Sequence, residues 1–119
     1  MFKVIIAGTR TFEDYPLLKE RCDYYLQNYD EIEIVSGGAR GADFLGERYA
    51  VDKGYKLSKF VANWDLGPKA GPIRNRQMAE YADALIAFWD GESKGTLNMI
   101  NVAKELGLKV KIVRELKKD

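Results

Sequence analysis

The amino-acid sequence predicts an α/β fold in which helices flank a mostly parallel five-stranded sheet. Three observations lead to this prediction. Five short segments are rich in apolar and β-branched residues, four segments between them show a helical spacing of apolar residues, and the two kinds of segment alternate along the chain. Such alternation implies parallel strands whose crossover helices cover both faces of the sheet.

The first strand and the first helix are predicted within residues 2–29. Residues 2–8 are mostly apolar and end in glycine, as expected of a buried strand. Asp14 can cap a helix in whose first turn Pro16 is tolerated. The apolar and aromatic residues that then recur at helical spacing are Tyr15, Leu18, Cys22, Tyr25 and Tyr29.

The second and third strands enclose the second helix. Residues 33–36 form the second strand, and a glycine-rich turn then leads into a helix that ends at Gly54. Residues 56–60 form the third strand. The following loop, residues 61–71, is longer than α/β connections usually are, which favours a functional role for it. One face of the second helix carries Ala42, Leu45, Gly46, Tyr49 and Ala50.

The central strand is predicted late in the chain. Pro72 can open a third helix that continues to about Tyr81. Residues 84–88 are apolar throughout, which predicts a strand that is buried on both faces. The remaining predicted elements are a fourth helix that begins at Ser93 or Thr96 and stops at Gly107, a fifth strand over residues 109–113, and a charged tail.

Length and charge limit the possible functions. The chain has 119 residues, of which 46% are hydrophobic, so residues 1–119 are expected to form a single domain with its own core. The formal net charge is +1. Proteins that hold DNA through its backbone usually carry a clear basic excess, so the balanced charge speaks against a nucleic-acid partner.

Cysteine and histidine contents exclude several chemistries. The single cysteine, Cys22, cannot form an internal disulfide, which is typical of a cytoplasmic protein. The absence of histidine removes Ser-His-Asp and Cys-His mechanisms and, with one cysteine, most zinc, haem and iron–sulfur sites. No apolar run reaches membrane-spanning length. We therefore expect a cytoplasmic protein without a metal, a cofactor or a membrane partner.

The four loops that follow the first four strands form the predicted binding region, because ligands of open parallel sheets bind beyond the carboxyl ends of the strands. Cations are disfavoured at helix N-termini, yet several of these loops carry one close to a helix start. An anionic ligand would explain the arrangement; the alternative is that the side chains are solvated or paired with nearby carboxylates. The loop cations are Arg10, Arg40, Lys69, Arg74, Arg76 and Lys94.

The turn over residues 36–43 reads SGGARGAD and combines glycines with a helix N-terminus, a pairing that suits phosphate. It follows the second strand and lacks the G-x-G-x-x-G pattern, so ordinary dinucleotide binding is not indicated. The P-loop order is also missing, since Lys94 precedes Gly95 and Thr96. The alternative is a tight strand–helix connection without a ligand.

Two tryptophans and several aspartates lie near predicted strand ends. Trp64 and Trp89 can stack on a base or close the core at the sheet rim; Trp89 is favoured as the wall of the site because it follows the central strand. Asp43, Asp65 and Asp90 can bond ribose hydroxyls or act as an acid or base, or they can cap helices.

Four segments together carry a specific pattern. They are residues 4–10, 36–43, 71–76 and 89–96, which read VIIAGTR, SGGARGAD, GPIRNR and WDGESKGT. In combination they resemble the YspA-type, YspA/YpsA-related branch of the SLOG superfamily, to which the DNA-processing protein DprA and the LOG phosphoribohydrolases also belong. The resemblance implies a Rossmann-like three-layer domain that binds nucleotides or nucleotide-derived small molecules, often as a sensor in bacterial or phage conflict.

The chain departs from the LOG pattern at one position. LOG enzymes cleave an N-glycosidic bond with a glutamate three residues after their Gly-Thr pair, whereas Met99 occupies that position here. The departure speaks against hydrolysis by the LOG mechanism. Glu47, on the helix after the glycine-rich turn, is a conceivable substitute.

The leading hypothesis is a protein that binds a nucleotide-derived small molecule to sense or sequester it. The alternatives are a LOG-like nucleoside-phosphate hydrolase or transferase, with Asp43, Glu47 or Asp90 as acid or base, and a DprA-like single-stranded DNA binder. Tyr24, Tyr25 and Tyr29 make a homo-oligomer plausible. The predicted ligand-binding residues are Gly8, Thr9, Arg10, Ser36, Gly37, Gly38, Arg40, Gly41, Asp43, Arg74, Asn75, Arg76, Trp89, Asp90, Ser93, Gly95 and Thr96.

Overall fold

Five parallel strands form the centre of the molecule in a computed structural model that describes residues 1–114; the predicted charged tail, residues 115–119, lies outside them. The strands pair in the order β3-β2-β1-β4-β5, and every pair is parallel. The predicted Rossmann-like α/β fold is thereby confirmed, with a fully parallel sheet. The strands are β1 (Phe2–Gly8), β2 (Ile32–Ser36), β3 (Lys56–Lys59), β4 (Ala84–Trp89) and β5 (Lys109–Arg114).

Within residues 1–114, four helices cover the two faces of this sheet. They are α1 (Tyr15–Leu26), α2 (Ala42–Lys53), α3 (Ala70–Tyr81) and α4 (Lys94–Glu105). Alternate residues of β1 point to opposite faces: Ile6 packs in one core with α1 and α2, and Ile5 packs in the other with α3 and α4. This alternation buries the apolar strands on both sides and makes three layers.

The strand order places a topological switch point between β1 and β4. The chain runs from β1 outward through β2 and β3, then crosses to β4 and β5 on the other side of β1. Crossover helices at such a point leave a crevice at the carboxyl ends of the two central strands. The fold therefore puts the loops after β1 and β4 next to each other.

The end of the first helix differs from the prediction. The first helix ends at Leu26, and Tyr29 lies beyond it, where its ring stacks on Phe2 with 3.8 Å between centroids. Tyr29 therefore packs on a residue of β1 and does not belong to the apolar face of α1. No helix within the described 114 residues is long and apolar enough to cross a membrane.

The connection after β3 is more ordered than a loop. Trp64–Lys69 forms a short 3₁₀ segment that kinks at Gly67, where φ is 77°. Asn63 caps it by accepting a hydrogen bond from the Asp65 amide at 3.2 Å. As a result α3 already begins at Ala70, and Pro72 lies inside its first turn, where its missing N–H costs nothing.

Candidate ligand-binding site

A cleft of about 490 Å³ opens at the carboxyl end of β1, between the first turns of α3 and α4. Its position is the crevice that the switch point between β1 and β4 creates. The 3₁₀ segment contributes Trp64 and Pro68 to one wall. Eight of the predicted ligand-binding residues line this cleft, namely Gly8, Arg10, Asp43, Arg74, Asn75, Ser93, Gly95 and Thr96.

Glycines allow the backbones around the cleft to approach one another. A Cβ on Gly8 would overlap the Phe88 carbonyl, so the ends of β1 and β4 could not lie as they do. Gly41 has a φ of 76°, and a Cβ there would overlap the backbone of Thr9 and Arg10. The Ala42 amide donates to the Thr9 carbonyl at 3.3 Å. The glycine-rich turn thus fastens the start of α2 onto the end of β1.

Positive charge dominates the cleft. Arg10, Arg74 and Lys94 line it, and none of them forms a salt bridge among residues 1–114. Burial lowers the pKa of Arg74, and the like charge of Arg10 lowers it further, while Asp43 opposes the shift. A guanidinium nevertheless stays protonated. The arrangement concentrates like charges that an anion would neutralise.

Arg74 is held rigidly at the base of the cleft. Its Nη1 donates to the Gly37 carbonyl at 2.5 Å, and its Nε donates to Asn75 Oδ1 at 3.0 Å. A guanidinium has five N–H donors, so three remain available. A Cβ on Gly37 would lie 2.8 Å from both Arg74 Nη1 and Asp43 Oδ2, so a larger residue there would displace these side chains.

Asp43 is a buried carboxyl beside these cations. Only 5% of its surface is exposed, and burial raises its pKa to about 6. The Ala39 amide, which donates to Oδ2 at 3.3 Å, and the charge of Arg74 oppose that shift. A carboxyl that titrates near neutrality can take up or release a proton, so Asp43 is chemically able to act as an acid or base.

Asn75 bridges α3 and α4 instead of facing open solvent. It is 6% exposed, and its Nδ2 donates to Asn98 Oδ1 at 2.9 Å, while its Oδ1 receives the bond from Arg74. Both ends of the amide are therefore used within the protein. Asn75, predicted as a ligand-binding residue, thus has its N–H groups and its carbonyl oxygen engaged by Arg74, Gly95 and Asn98.

The first turn of α4 forms another wall. Ser93 caps the helix, its Oγ accepting from the Thr96 amide at 3.3 Å. The amides of Lys94 and Gly95 make no hydrogen bond in the part of the chain that the structure describes. Free N–H groups and the helix dipole favour an anion at this point.

Asp90 holds the loop before α4 in shape. Its Oδ1 accepts from the amides of Glu92 and Ser93 at 2.8 and 2.9 Å, and these bonds hold its pKa below the usual range. Its own amide donates to Thr9 Oγ1 at 3.1 Å. Asp90 and Thr9 thus connect the loops after β1 and β4, and neither lines the cleft.

Other predicted residues lie behind or beside the cleft. Ser36 Oγ donates to Glu47 Oε2 at 2.7 Å, and Glu47 pairs with Lys59 at 3.1 Å. The Glu47 carboxylate is therefore occupied by structural partners. Gly38, Arg40 and Gly41 line a separate shallow depression of about 250 Å³.

Arg76 and Trp89 are not brought to the cleft. Arg76 pairs with Glu105 on α4 at 3.0 Å. Trp89 donates through Nε1 to the Ser93 carbonyl at 3.1 Å and packs against the core, with Arg114 over its ring. The aromatic residue that lines the cleft is Trp64, which is 56% exposed.

Sequence reasoning did not select several lining residues. Asn98 lies three residues after Gly95 on α4, and that spacing alone places both on one helix face. Met78 and Met99 form apolar lining, for which helical spacing offers no signal distinct from core packing. Among residues 1–114, no group of three or more acidic, cysteine or histidine side chains is placed to hold a metal ion.

The strand order and the crevice define the class of this protein, a Rossmann-like three-layer α/β domain with a cleft at its switch point. The chain belongs to the YspA, cpYpsA-related SLOG family, whose sequence profile matches residues 2–67. It is also similar to the Gene 61 protein of Mycobacterium phage D29. The two are 32% identical over an alignment of 118 residues, and the match covers 92% of this chain and 94% of the phage protein.

Two solved structures share the fold. DNA processing protein A (DprA) from Streptococcus pneumoniae superposes with a TM-score of 0.78 at 23% identity over 100% of this chain and 52% of DprA, so the chain spans about half of that protein. The structural-genomics target TM1055 superposes with a TM-score of 0.68 at 19% identity, covering 92% of this chain and 72% of TM1055. At these identities the likeness concerns the fold alone.

Proposed function

We propose that the cleft binds a nucleotide or a nucleotide-derived small molecule, and that the protein acts by sensing or sequestering it. The observation that carries this proposal is the convergence of Arg10, Arg74 and Lys94 on one cleft whose lining, within residues 1–114, contains a single carboxyl, Asp43. Membership in the SLOG family is compatible with such a ligand.

The geometry suits a phosphate at one end of the cleft. The free amides of Lys94 and Gly95 would donate to its oxygens, and Arg74 would add charge-assisted hydrogen bonds with its remaining N–H groups. Ser93 and Thr96 would supply hydroxyls. A base would stack on the exposed ring of Trp64, and a ribose hydroxyl would donate to Asp43.

Calorimetric titration with cyclic nucleotides, ADP-ribose derivatives and nucleoside monophosphates tests the proposal. For a probe that binds, Arg74→Gln should weaken affinity roughly tenfold or more, because charge-assisted hydrogen bonds to phosphate are lost. Arg76→Gln is the matched control, since it removes the same charge from the same helix outside the cleft. The proposal fails if no probe binds the folded protein more tightly than millimolar.

A second candidate is an N-glycosidic hydrolase or transferase acting on nucleoside phosphates. The elevated pKa of Asp43, about 6, favours this function because a general acid or base works best near neutrality. Met99, which occupies the position of the LOG glutamate, lines the cleft and supplies no proton-transfer group. Release of free base by the wild type, abolished in Asp43→Asn, would support the enzyme; unchanged substrate after long incubation would reject it.

Single-stranded DNA is the remaining alternative, since DprA is named a DNA processing protein. Arg10, Arg74 and Lys94 converge in a cleft, and the net charge of the chain is only +1, which favours a small anionic ligand over a nucleic-acid backbone. A strongly salt-dependent mobility shift of a single-stranded oligonucleotide would favour DNA over a small molecule.

We also propose that residues 1–119 act as one ligand-binding domain in the cytoplasm, where the buried free thiol of Cys22 stays reduced. Tyr24, which is 65% exposed on α1, supports self-association through that helix. Light scattering at several concentrations measures the oligomeric state, and Tyr24→Ser should lower it if α1 is the contact.

A further inference from the structure

A directional hydrogen-bond relay links α3 to α4 beside the cleft. Arg74 Nε donates to Asn75 Oδ1 at 3.0 Å, and Asn75 Nδ2 donates to Asn98 Oδ1 at 2.9 Å and to the Gly95 carbonyl at 3.4 Å. A guanidinium can only donate, so the first bond fixes the orientation of the Asn75 amide. The Asn75 amide then donates from its NH₂ group to Asn98, which must accept through its carbonyl oxygen.

The relay leaves the NH₂ group of Asn98 at its far end. Asn98 is half-buried and lines the cleft. Its Nδ2 has no hydrogen-bond partner within residues 1–114, and no fully buried side-chain polar atom among them lacks a partner. The NH₂ group is therefore accessible, and the side chain offers the cleft a donor because its acceptor is already engaged.

We propose that Asn98 is a ligand-binding residue that donates from its NH₂ group to an acceptor atom of the ligand, and that Asn75 is the positioning residue that fixes this polarity. The inference rests on the ligand-binding role proposed above for the cleft. Arg74, the free amides at the start of α4 and the Asn98 NH₂ group are all hydrogen-bond donors. They form one wall of the cleft, and this wall offers donors to a ligand. It therefore selects phosphate or carbonyl oxygens and disfavours an ammonium group.

The decisive comparison is Asn98→Asp against Asn101→Asp, with ADP and inorganic pyrophosphate as probes. Both substitutions add one negative charge to α4, but Asn101 is exposed and does not line the cleft. Asn98→Asp should weaken binding of both probes roughly tenfold or more, and Asn98→Ala should do so by several-fold through the loss of the donor alone. Asn101→Asp should stay within about twofold. Equal effects of the two aspartates would overturn the role of Asn98.

The positioning role of Asn75 is tested by Asn75→Asp in two backgrounds. The introduced carboxylate can still accept from Arg74 but cannot donate, so Asn98 must turn its NH₂ group inward and its carbonyl toward the ligand. Affinity for ADP should fall several-fold more in the wild-type background than in Asn98→Ala, because the added negative charge acts in both backgrounds and the reversal of the Asn98 amide acts only in the first. A merely structural role would weaken both backgrounds alike. The Asn98 variants test the role of Asn98 independently, even where Asn75→Asp fails to fold.

Failure of the proposed function and failure of the role of Asn98 give different results. Wild-type protein that binds neither ADP nor pyrophosphate overturns the role of Asn98, and the proposed function is overturned with it if no other probe of the nucleotide panel binds. Wild-type binding that persists in Asn98→Asp and Asn98→Ala overturns the role of Asn98 and leaves the proposed function standing.

Discussion

Asp43 combines burial with proximity to cations, and the two influences act on its pKa in opposite directions. Burial prevails, and the pKa rises from 3.8 to about 6. The native state therefore holds this proton more tightly than the unfolded chain does. The carboxyl contributes stability that is fully present below pH 3.8 and is lost as the pH rises through about 6.

The first prediction concerns this pH dependence. The shift of the Asp43 pKa corresponds to roughly 3 kcal/mol of unfolding free energy, lost between about pH 4 and pH 6. Asp43→Asn removes the titrating group, so the variant should lack this loss and gain stability relative to the wild type above pH 6. Urea unfolding at a series of pH values measures the difference.

Asp30→Asn serves as the control because Asp30 is exposed and forms no salt bridge among the described residues. A difference between wild type and Asp43→Asn that is the same at pH 4 and pH 8 would contradict the assignment of the elevated pKa to Asp43.

Arg74 and Arg76 were both predicted as ligand-binding residues, but the structure brings only Arg74 to the cleft. Charge and loop position predicted both as ligands, yet residues two apart on a helix point to nearly opposite sides. The structure brings Arg74 to the cleft and Arg76 to Glu105. Helical geometry alone predicts that only one of the two faces the site, but which one depends on how α3 packs against the sheet.

At the scale of elements, the turn over residues 36–43 acts through its backbone conformation. Gly41 has φ 76° and ψ −127°, a region open essentially to glycine, whereas Gly54 ends α2 in the left-handed region at φ 73° and ψ 25°. A Cβ on Gly41 would overlap the loop after β1, while a Cβ on Gly54 meets nothing within 4 Å. The two glycines therefore differ in steric demand.

The second prediction follows from this difference. Gly54→Ala should cost about 1 kcal/mol of unfolding free energy, the usual penalty of a left-handed conformation. Gly41→Ala should cost at least about 3 kcal/mol, since strain and overlap with Thr9 and Arg10 add together. Chemical denaturation of both variants measures the costs. Similar values for the two would show that the turn relaxes without loss.

Glycine content predicted a tight turn at residues 36–43, and the structure contains one. The sequence did not reveal that the glycines serve contact with the loop after β1, because that contact joins residues about thirty positions apart. The start of α3 escaped prediction for a related reason: the segment 61–71 lacks apolar periodicity, and its 3₁₀ turns depend on local caps such as Asn63.

On the scale of the whole molecule, the sheet order brings together charges from distant parts of the chain. Arg10 follows β1, Arg74 lies on α3 and Lys94 begins α4, and all three meet at one cleft. Their repulsion opposes folding in the absence of an anion. Residues suited to binding are in this case expected to reduce the stability of the ligand-free protein.

The third prediction tests that trade-off. Arg10→Gln should raise the melting temperature of the ligand-free protein by about 1–2 °C, because a fraction of a kcal/mol of repulsion is relieved. The same variant should weaken anion binding. Differential scanning calorimetry at low salt checks the first effect, and high salt should diminish it. A lowered melting temperature would contradict the repulsion.

The alternation of strands and helices predicted the α/β fold, the buried strands and the edge of the sheet that carries the loops. It did not predict which side chains meet there. Trp89 follows the central strand, but its side chain packs against the core. Trp64 lines the cleft instead, because the 3₁₀ segment lies along one side of it. Such choices depend on packing between elements distant in sequence.

The 3₁₀ segment has a further consequence for ligand choice. Trp64–Lys69 provides a wall of the cleft, yet none of its six residues is buried and it adds no strand to the sheet. On the function proposed above, this segment would contribute to ligand selection while contributing little to the buried core. On the same proposal, exchanging this hexapeptide should redirect the cleft toward another planar group while the rest of the scaffold keeps its architecture.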